Sequence, residues 1–179
     1  MVKRLFDIFL VILTALMWLP LLAVTALAVL IFDGRPVFFL QRRAGKGGRA
    51  FDVLKFKTMV SVDGGEPVAT PLGRWLRKLS LDEIPQLVNV LKGDMSLVGP
   101  RPERAYFYDK FETYIHGFKN RLAVTPGLTG LAQVNGGYEL EPEEKILYDM
   151  QYIREQSLWL DLKLIFKTVK LVFTHEGAR

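Results

Sequence analysis

The sequence predicts a mainly helical α+β protein, held to a membrane by its N-terminal segment, with interfacial amphipathic helices and a small β element. Three observations predict it. Residues 8–32 carry no charged side chain. Residues 158–173 repeat apolar side chains at helical spacing. Between them, "RAFDVLKFKTM" reads as a short strand pair or extended edge.

At 179 residues, half of them hydrophobic, the chain is one domain's worth and can bury a core around a single site. A formal charge of +5 points to a polyanionic partner: nucleic acid, a phosphorylated small molecule or an anionic membrane surface. The basic residues lie beside bilayer-seeking segments and no nucleic-acid motif occurs, so no nucleic acid is expected. There is no cysteine, and His116 and His175 stand alone, which excludes disulfides and a thiolate or zinc cluster. Any metal must be a hard ion held by oxygen.

The uncharged run Ile8–Phe32 has 25 residues, about 37 Å as a helix against a hydrocarbon core of about 30 Å. It is too long for a signal-peptide core, so it is read as a retained anchor. Pro20 stands at its midpoint and divides it into arms of about 18 Å. Two arms suit a helix that dips into the bilayer and turns back at Trp18-Leu19-Pro20; a kinked spanning helix suits the residues as well. Lys3 and Arg4 precede the run, and Arg35, Arg42, Arg43, Lys46 and Arg49 follow it. The heavier positive flank places residues downstream of the run in the cytoplasm. Asp7 lies at helical spacing from Lys3 and Arg4 and is expected to pair with them. The expected division is an anchor over 1–33 and a catalytic unit over 34–179.

At the other end, Leu158, Trp159, Leu162, Ile165, Phe166, Val169, Val172 and Phe173 fill an arc of roughly 140°, with Lys163, Lys167 and Lys170 in a stripe beside it. That pattern reads as a helix in the membrane interface or, alternatively, as a core helix. Residues 80–92 and 103–116 are expected to be helical, and "TPGLTGLAQVNGGY" to be turns around a short strand.

The candidate chemistry lies in "SLDEIPQLVNVLKGDMSLVGPRP". Ile84, Leu87, Val88 and Leu91 recur at helical spacing and Gly93 supplies a stop, so Asp82 and Glu83 stand at a helix start. One reading is structural: Asp82 as N-cap, or Ser80 with Glu83 as a capping box. The other is chemical, with one carboxylate a nucleophile and the other a ligand to Mg²⁺, which takes one or two carboxylates plus substrate phosphates. Attack on a diphosphate requires nearby cations. Arg74, Arg77 and Lys78 precede the pair, Lys55 and Lys57 are candidates to join, and Arg101 is fixed between two prolines.

The blocks "KRLFD", "KFKTM", "LSLDEIPQLVNVLKGDMSLVGPRPE", "TPGLTGLAQVNG" and "SLWLDLKLIFKTV", in this order over nearly the whole chain, closely resemble the bacterial sugar transferases, specifically the monotopic polyprenyl-phosphate phosphoglycosyl transferases. The resemblance implies transfer of a sugar 1-phosphate from a UDP-sugar to undecaprenyl phosphate, with release of UMP, Mg²⁺ and a covalent phosphosugar intermediate. It implies Asp82 as nucleophile, Glu83 as the metal-associated acid, Arg77 on phosphate and Arg101 toward the nucleotide, with Lys55, Lys57 and Gln133 completing the substrate-binding set. It also implies a re-entrant hairpin bent at Pro20, anchored with Lys3, Arg4 and Asp7, and a catalytic unit on the cytoplasmic face of the bacterial inner membrane. Membrane lipids are expected partners; a homodimer and contacts with downstream glycosyltransferases stay open. Thr125 and Gly137 stand where many members have arginine, so no sugar-reading arginine is transferred to them. A membrane-surface binding module and a membrane-bound phosphohydrolase are the competing readings.

Overall fold

A computed structural model describes residues 1–61, 65–137 and 139–174. Two helices, α1 (Val2–Leu13) and α2 (Ala15–Phe32), form the N-terminal segment. The break falls at Thr14 and not at Trp18-Leu19-Pro20: Thr14 turns to φ −90°, ψ 4°, while Pro20 lies inside α2. Side chains explain the position. Thr14 Oγ1 donates to Leu10 O at 2.8 Å, competing with the backbone ladder, and the Trp18 indole donates to Val11 O at 2.9 Å. A carbonyl at the bend is thus satisfied by the protein, as an apolar surrounding demands.

Both ends of this helix pair pack on the same body. Val11 is buried among Phe51, Val53, Val90 and Met95, and Val29 among Phe56 and Leu76, while Leu13, Leu16 and Met17 around the break are exposed. Among the described residues, one helix, Ala15–Phe32, is long and apolar enough to cross a membrane.

The body begins with an antiparallel hairpin, β1 (Phe38–Ala44) and β2 (Ala50–Phe56), in register from Phe38 opposite Phe56 to Ala44 opposite Ala50. Of this hairpin, only β2 lies in the stretch expected to be a strand pair or extended edge; its partner β1 comes from residues upstream of that stretch. A second, two-residue pair, β3 (Met59–Val60) with β4 (Val68–Ala69), leads into α3 (Pro71–Lys78). Thr70 caps α3 by accepting from Gly73 N at 2.8 Å, with Pro71 at the first helical position. A Cβ on Gly73 would lie 2.1 Å from Thr58 O. Gly73→Ala is therefore expected to cost about 1–3 kcal/mol by forcing α3 away from Thr58, read as a lower thermal midpoint.

After α3 come a 3₁₀ turn (Leu81–Glu83), α4 (Gln86–Lys92) and β5 (Ser96–Val98). The Gly93 stop is borne out: it takes φ 94° and donates to Asn89 O. Strand β5 pairs in parallel with β6 (Gly127–Thr129). Between them lie α5 (Ala105–Glu112), shorter than the expected 103–116, and a 3₁₀ turn over Phe118–Ala123. The chain closes with α6 (Leu131–Val134), α7 (Pro142–Glu155) and α8 (Leu158–Thr174).

Helix α8 divides the predicted apolar arc between two surroundings. Trp159, Phe166 and Val169 are exposed, whereas Leu162, Ile165 and Val172 are half-buried beside the buried Leu164. The side chain of Phe173 and all of His175 lie outside the described residues. Lys163 lies 5.3 Å from the Trp159 ring centroid, and Lys167 donates to Asn135 Oδ1.

Candidate active site

The acidic pair caps nothing. Helix α4 starts at Gln86, Pro85 precedes it, and neither Asp82 nor Ser80 makes a side-chain cap. Instead Ser80 adopts φ 54°, a left-handed conformation that costs an L-residue about 1 kcal/mol or more, and this bend turns the chain from α3 into the 3₁₀ turn. Glu83 N donates to Ser80 O at 3.2 Å, leaving both acidic side chains free for other work.

Glu83 is gripped from two directions. Arg101 donates through Nη2 to Oε1 at 2.5 Å and through Nη1 to Oε2 at 3.2 Å, and Lys55 donates to Oε1 at 2.8 Å. All three side chains are mostly buried, so the pairing is poorly screened. Burial would push the Glu83 carboxyl up, but Arg101 and Lys55 outweigh it and hold the group well below the usual carboxylate range. Lys55 arrives from β2, whose edge is fixed to α4 by Asn89: its Oδ1 accepts from Leu54 N at 3.0 Å and its Nδ2 donates to Asp52 O at 2.9 Å.

Asp82 differs from its neighbour. It is 9% exposed, and among the described residues its carboxylate accepts no hydrogen bond. Burial and the adjacent Glu83 charge push its pKa from 3.8 up to about 6, against the pull of Lys55, Arg77 and Arg101. Two neighbouring acids thus differ in ionisation, a pattern common where chemistry is performed.

Asp82, Glu83, Lys55, Lys57, Arg77, Arg101 and Gln133 all line one groove of about 1420 Å³. The sequence-selected residues therefore come together, with two refinements. Lys57 is committed to the anchor, donating to Asp33 O at 3.0 Å. Gln133 lines the groove with Nε2 near Gly99 O and with Oε1 buried and, among the described residues, without a hydrogen-bond partner. Of the outlying cations, Arg42 pairs with Asp52 and Arg43 with Glu103. Helix α8 adds mostly apolar side chains to the lining, among them Ile165, Val169 and Val172.

The anchor residues also take partners other than those expected. Lys3 bonds Asp161, Arg4 bonds the carbonyls of Val90 and Leu91, and Asp7 bonds Ser96 and Leu97. The expected pairs within α1 do not form, because each side chain finds a buried partner on the body.

Sequence reading passed over Arg121 and Asp149, a fully buried ion pair with Nε 2.7 Å from Oδ2, although Arg121 Nη2 donates to Arg101 O at 3.1 Å. Nothing local marks either residue. Asp161 was passed over too, although an acid within an apolar helical stripe is the signal that could have found it, since such a group needs a buried partner.

Comparison with known proteins decides the family. The sequence profile described as "Bacterial sugar transferase" matches residues 1–175. The chain belongs to the bacterial sugar transferase family. It is 40% identical to the UDP-N-acetylgalactosamine-undecaprenyl-phosphate N-acetylgalactosaminephosphotransferase of Aeromonas hydrophila, over 99% of this chain and 45% of that protein. It is 41% identical to the UDP-glucose:undecaprenyl-phosphate glucose-1-phosphate transferase of Caulobacter vibrioides, over 98% of this chain and 71% of that one. The uncharacterized sugar transferase EpsL of Bacillus subtilis is 42% identical over 99% of this chain and 90% of its own length. The chain thus spans less than half of the Aeromonas protein and nearly all of the Bacillus one.

Proposed function

We propose that this sugar transferase moves a sugar 1-phosphate from a UDP-sugar to undecaprenyl phosphate, releasing UMP, at the cytoplasmic face of a bacterial inner membrane. It would be the first membrane step of surface-glycan assembly. The observation that carries the reading is Asp82: a buried carboxylate with no hydrogen-bond partner among the described residues, beside a Glu83 already matched by Arg101 and Lys55. The activities for which the Aeromonas and Caulobacter relatives are named support the same reaction.

In the proposed first step, Asp82 Oδ attacks the phosphorus that carries the sugar. An acyl-phosphate bond forms, the bond to the bridging oxygen breaks, and UMP leaves with that oxygen. In the second, a phosphate oxygen of the lipid attacks the same phosphorus, the acyl-phosphate bond breaks, and Asp82 returns as carboxylate. The product is a diphosphate-linked lipid sugar. Arg77 at the end of α3 and Arg101 after β5 supply fixed positive charge along the groove, which offsets anion repulsion as charge shifts to the leaving phosphate. The volume of the groove, above the usual range for one small ligand, suits donor and lipid headgroup in turn.

The donor set fits Mg²⁺. Asp82, whose carboxylate accepts no hydrogen bond among the described residues, would hold the ion beside Glu83, whose oxygens face Arg101 and Lys55, and water and diphosphate oxygens would complete its shell. Held there, Mg²⁺ would neutralise charge on the diphosphate.

Residues 1–33 are proposed as a re-entrant anchor and 34–179 as the catalytic unit. Packing of both α1 and the end of α2 on one body, with exposed Leu13, Leu16 and Met17 between, supports a hairpin inserted from one side.

The test is UMP release by the purified protein in nanodiscs with Mg²⁺. UDP-glucose, UDP-galactose and UDP-N-acetyl sugars are each offered with and without undecaprenyl phosphate, because relatives of similar identity carry different sugars in their names. UMP that requires the lipid and disappears with EDTA is the expected result. UMP without lipid indicates a phosphohydrolase, and silence across the panel from folded protein indicates a binding module.

A further inference from the structure

The first two turns of α1 carry three polar side chains, and each reaches a different element of the frame around the acidic pair. Arg4 donates to Val90 O and, at 2.6 Å, to Leu91 O, carbonyls at the C-terminal end of α4. The other end of α4 follows Glu83 after only Ile84 and Pro85. Asp7, 3% exposed, accepts from Ser96 Oγ at 2.8 Å and from Leu97 N at 3.3 Å, both on β5, the strand that runs into Gly99-Pro100-Arg101. Lys3 Nζ lies 2.5 Å from Asp161 Oδ2 on α8. The other oxygen of Asp161 lies 2.7 Å from the Tyr152 hydroxyl, itself 3.0 Å from Val98 O. All three residues of β5 are therefore tied to the anchor, Ser96 and Leu97 directly and Val98 through Asp161 and Tyr152.

Membrane attachment does not require this. An anchor needs apolar length and cations that reach the lipid phosphates. Burying the carboxylates of Asp7 and Asp161 carries a desolvation cost that is offset only by well-placed hydrogen bonds. Those bonds converge on the strand that delivers Arg101, while Arg4 holds the helix that follows Glu83.

We infer that Lys3, Arg4 and Asp7 are positioning residues: the first turns of the anchor fix α4 and β5 relative to each other and thereby set Arg101 against Glu83. The lever is short. Arg101 is four residues beyond Leu97, and its carbonyl is held by Arg121, so a displacement of β5 passes directly to the guanidinium. A sugar transferase whose anchor is unseated would lose the clamp on Glu83 while keeping its fold. Only the kinetic arm of the test below rests on the proposed transfer reaction.

The test is hydrogen–deuterium exchange of the full chain in nanodiscs, comparing wild type with Asp7→Ala, Ser96→Ala and an apex control, Leu16→Ala. Asp7→Ala is expected to speed exchange roughly tenfold in peptides covering 84–92 and 97–104, while 142–155 keeps wild-type protection. Ser96→Ala gives a smaller increase in the same peptides, and Leu16→Ala gives none. Membrane retention stays unchanged in all three. In turnover assays, kcat falls about tenfold for Asp7→Ala with KM for the UDP-sugar moving less than about twofold, and Lys3→Arg retains the activity that Lys3→Ala loses. Exchange that rises uniformly, or only within residues 2–13, overturns the inference, the first as global destabilisation and the second as a purely local tie. If wild type turns over no UDP-sugar, the transfer reaction fails while the exchange result still decides this coupling.

Discussion

Asp82→Asn is expected to abolish turnover and to raise the stability of the metal-free protein. The proposed nucleophile is a charge the fold resists: burial and the Glu83 carboxylate push its pKa from 3.8 up to about 6. A pKa raised on folding means that the carboxyl contributes favourably only while protonated. The associated cost is absent below about pH 4, grows through the interval to about 6 and is constant above it. One unit corresponds to about 1.4 kcal/mol, so at pH 8 the ionised group costs on the order of 1–3 kcal/mol, which asparagine removes with little change of shape. At about 2–4 °C per kcal/mol for a chain of this size, the variant should melt several degrees higher in EDTA at pH 8 and lose that advantage by pH 4. Turnover should fall on the order of 10⁴-fold, as for other lost nucleophiles. The wild-type kcat/KM should show an acid limb, tenfold per unit, since only the Asp82 carboxylate can attack, and with Mg²⁺ held beside the group that limb should lie below pH 6. Glu83, held ionised by Arg101 and Lys55, adds no limb there. An asparagine variant that turns over, or that melts no higher at pH 8, would refute this account of Asp82.

The acids illustrate what sequence can carry. Their adjacency, the cations before them and the Pro-Arg-Pro turn singled out residues that the fold brings to one groove, because those features are local. Capping was the competing local explanation, and it failed for a tertiary reason: Ser80 turns left-handed, so the helix starts only at Gln86. Pro20 misled in the same way. A proline removes one donor, but Thr14 and Trp18 supply side-chain bonds six and two residues earlier, and the break settles there. Lys3, Arg4 and Asp7 matched the helical pairing rule, yet a surface ion pair is worth only a few tenths of a kcal/mol, and buried partners 86 to 158 residues away prevail. Strand β2, the Gly93 stop and the lysine-bordered α8 were legible because their patterns are complete within a few residues, whereas β1, the partner of β2, was not. Which side of α8 meets the core depends on β5 and α6, and no periodicity contains that information.

Arg121→Met should be the most destabilising single substitution near the site. Arg121 and Asp149 are each only 1% exposed, and Arg121 further lies over the Phe118 and Tyr108 rings, with its guanidinium carbon 4.7 and 5.6 Å from their centroids. Removing the cation leaves a buried carboxylate whose second oxygen, among the described residues, already lacks a hydrogen-bond partner, a loss of about 3–5 kcal/mol. On the same scale the thermal midpoint should drop by roughly 10 °C. Replacing both partners, as Arg121→Met with Asp149→Leu, removes the stranded charge and should restore most of that stability, because an apolar pair of similar volume can substitute for a buried ion pair. Activity should not follow stability back. The hydrogen bond from Arg121 Nη2 to Arg101 O is lost in both variants, so the Pro-Arg-Pro loop loses a fixed point behind the residue that holds Glu83. Stability recovering while kcat stays low would separate the two functions of Arg121, whereas parallel recovery would make the buried pair a matter of folding alone.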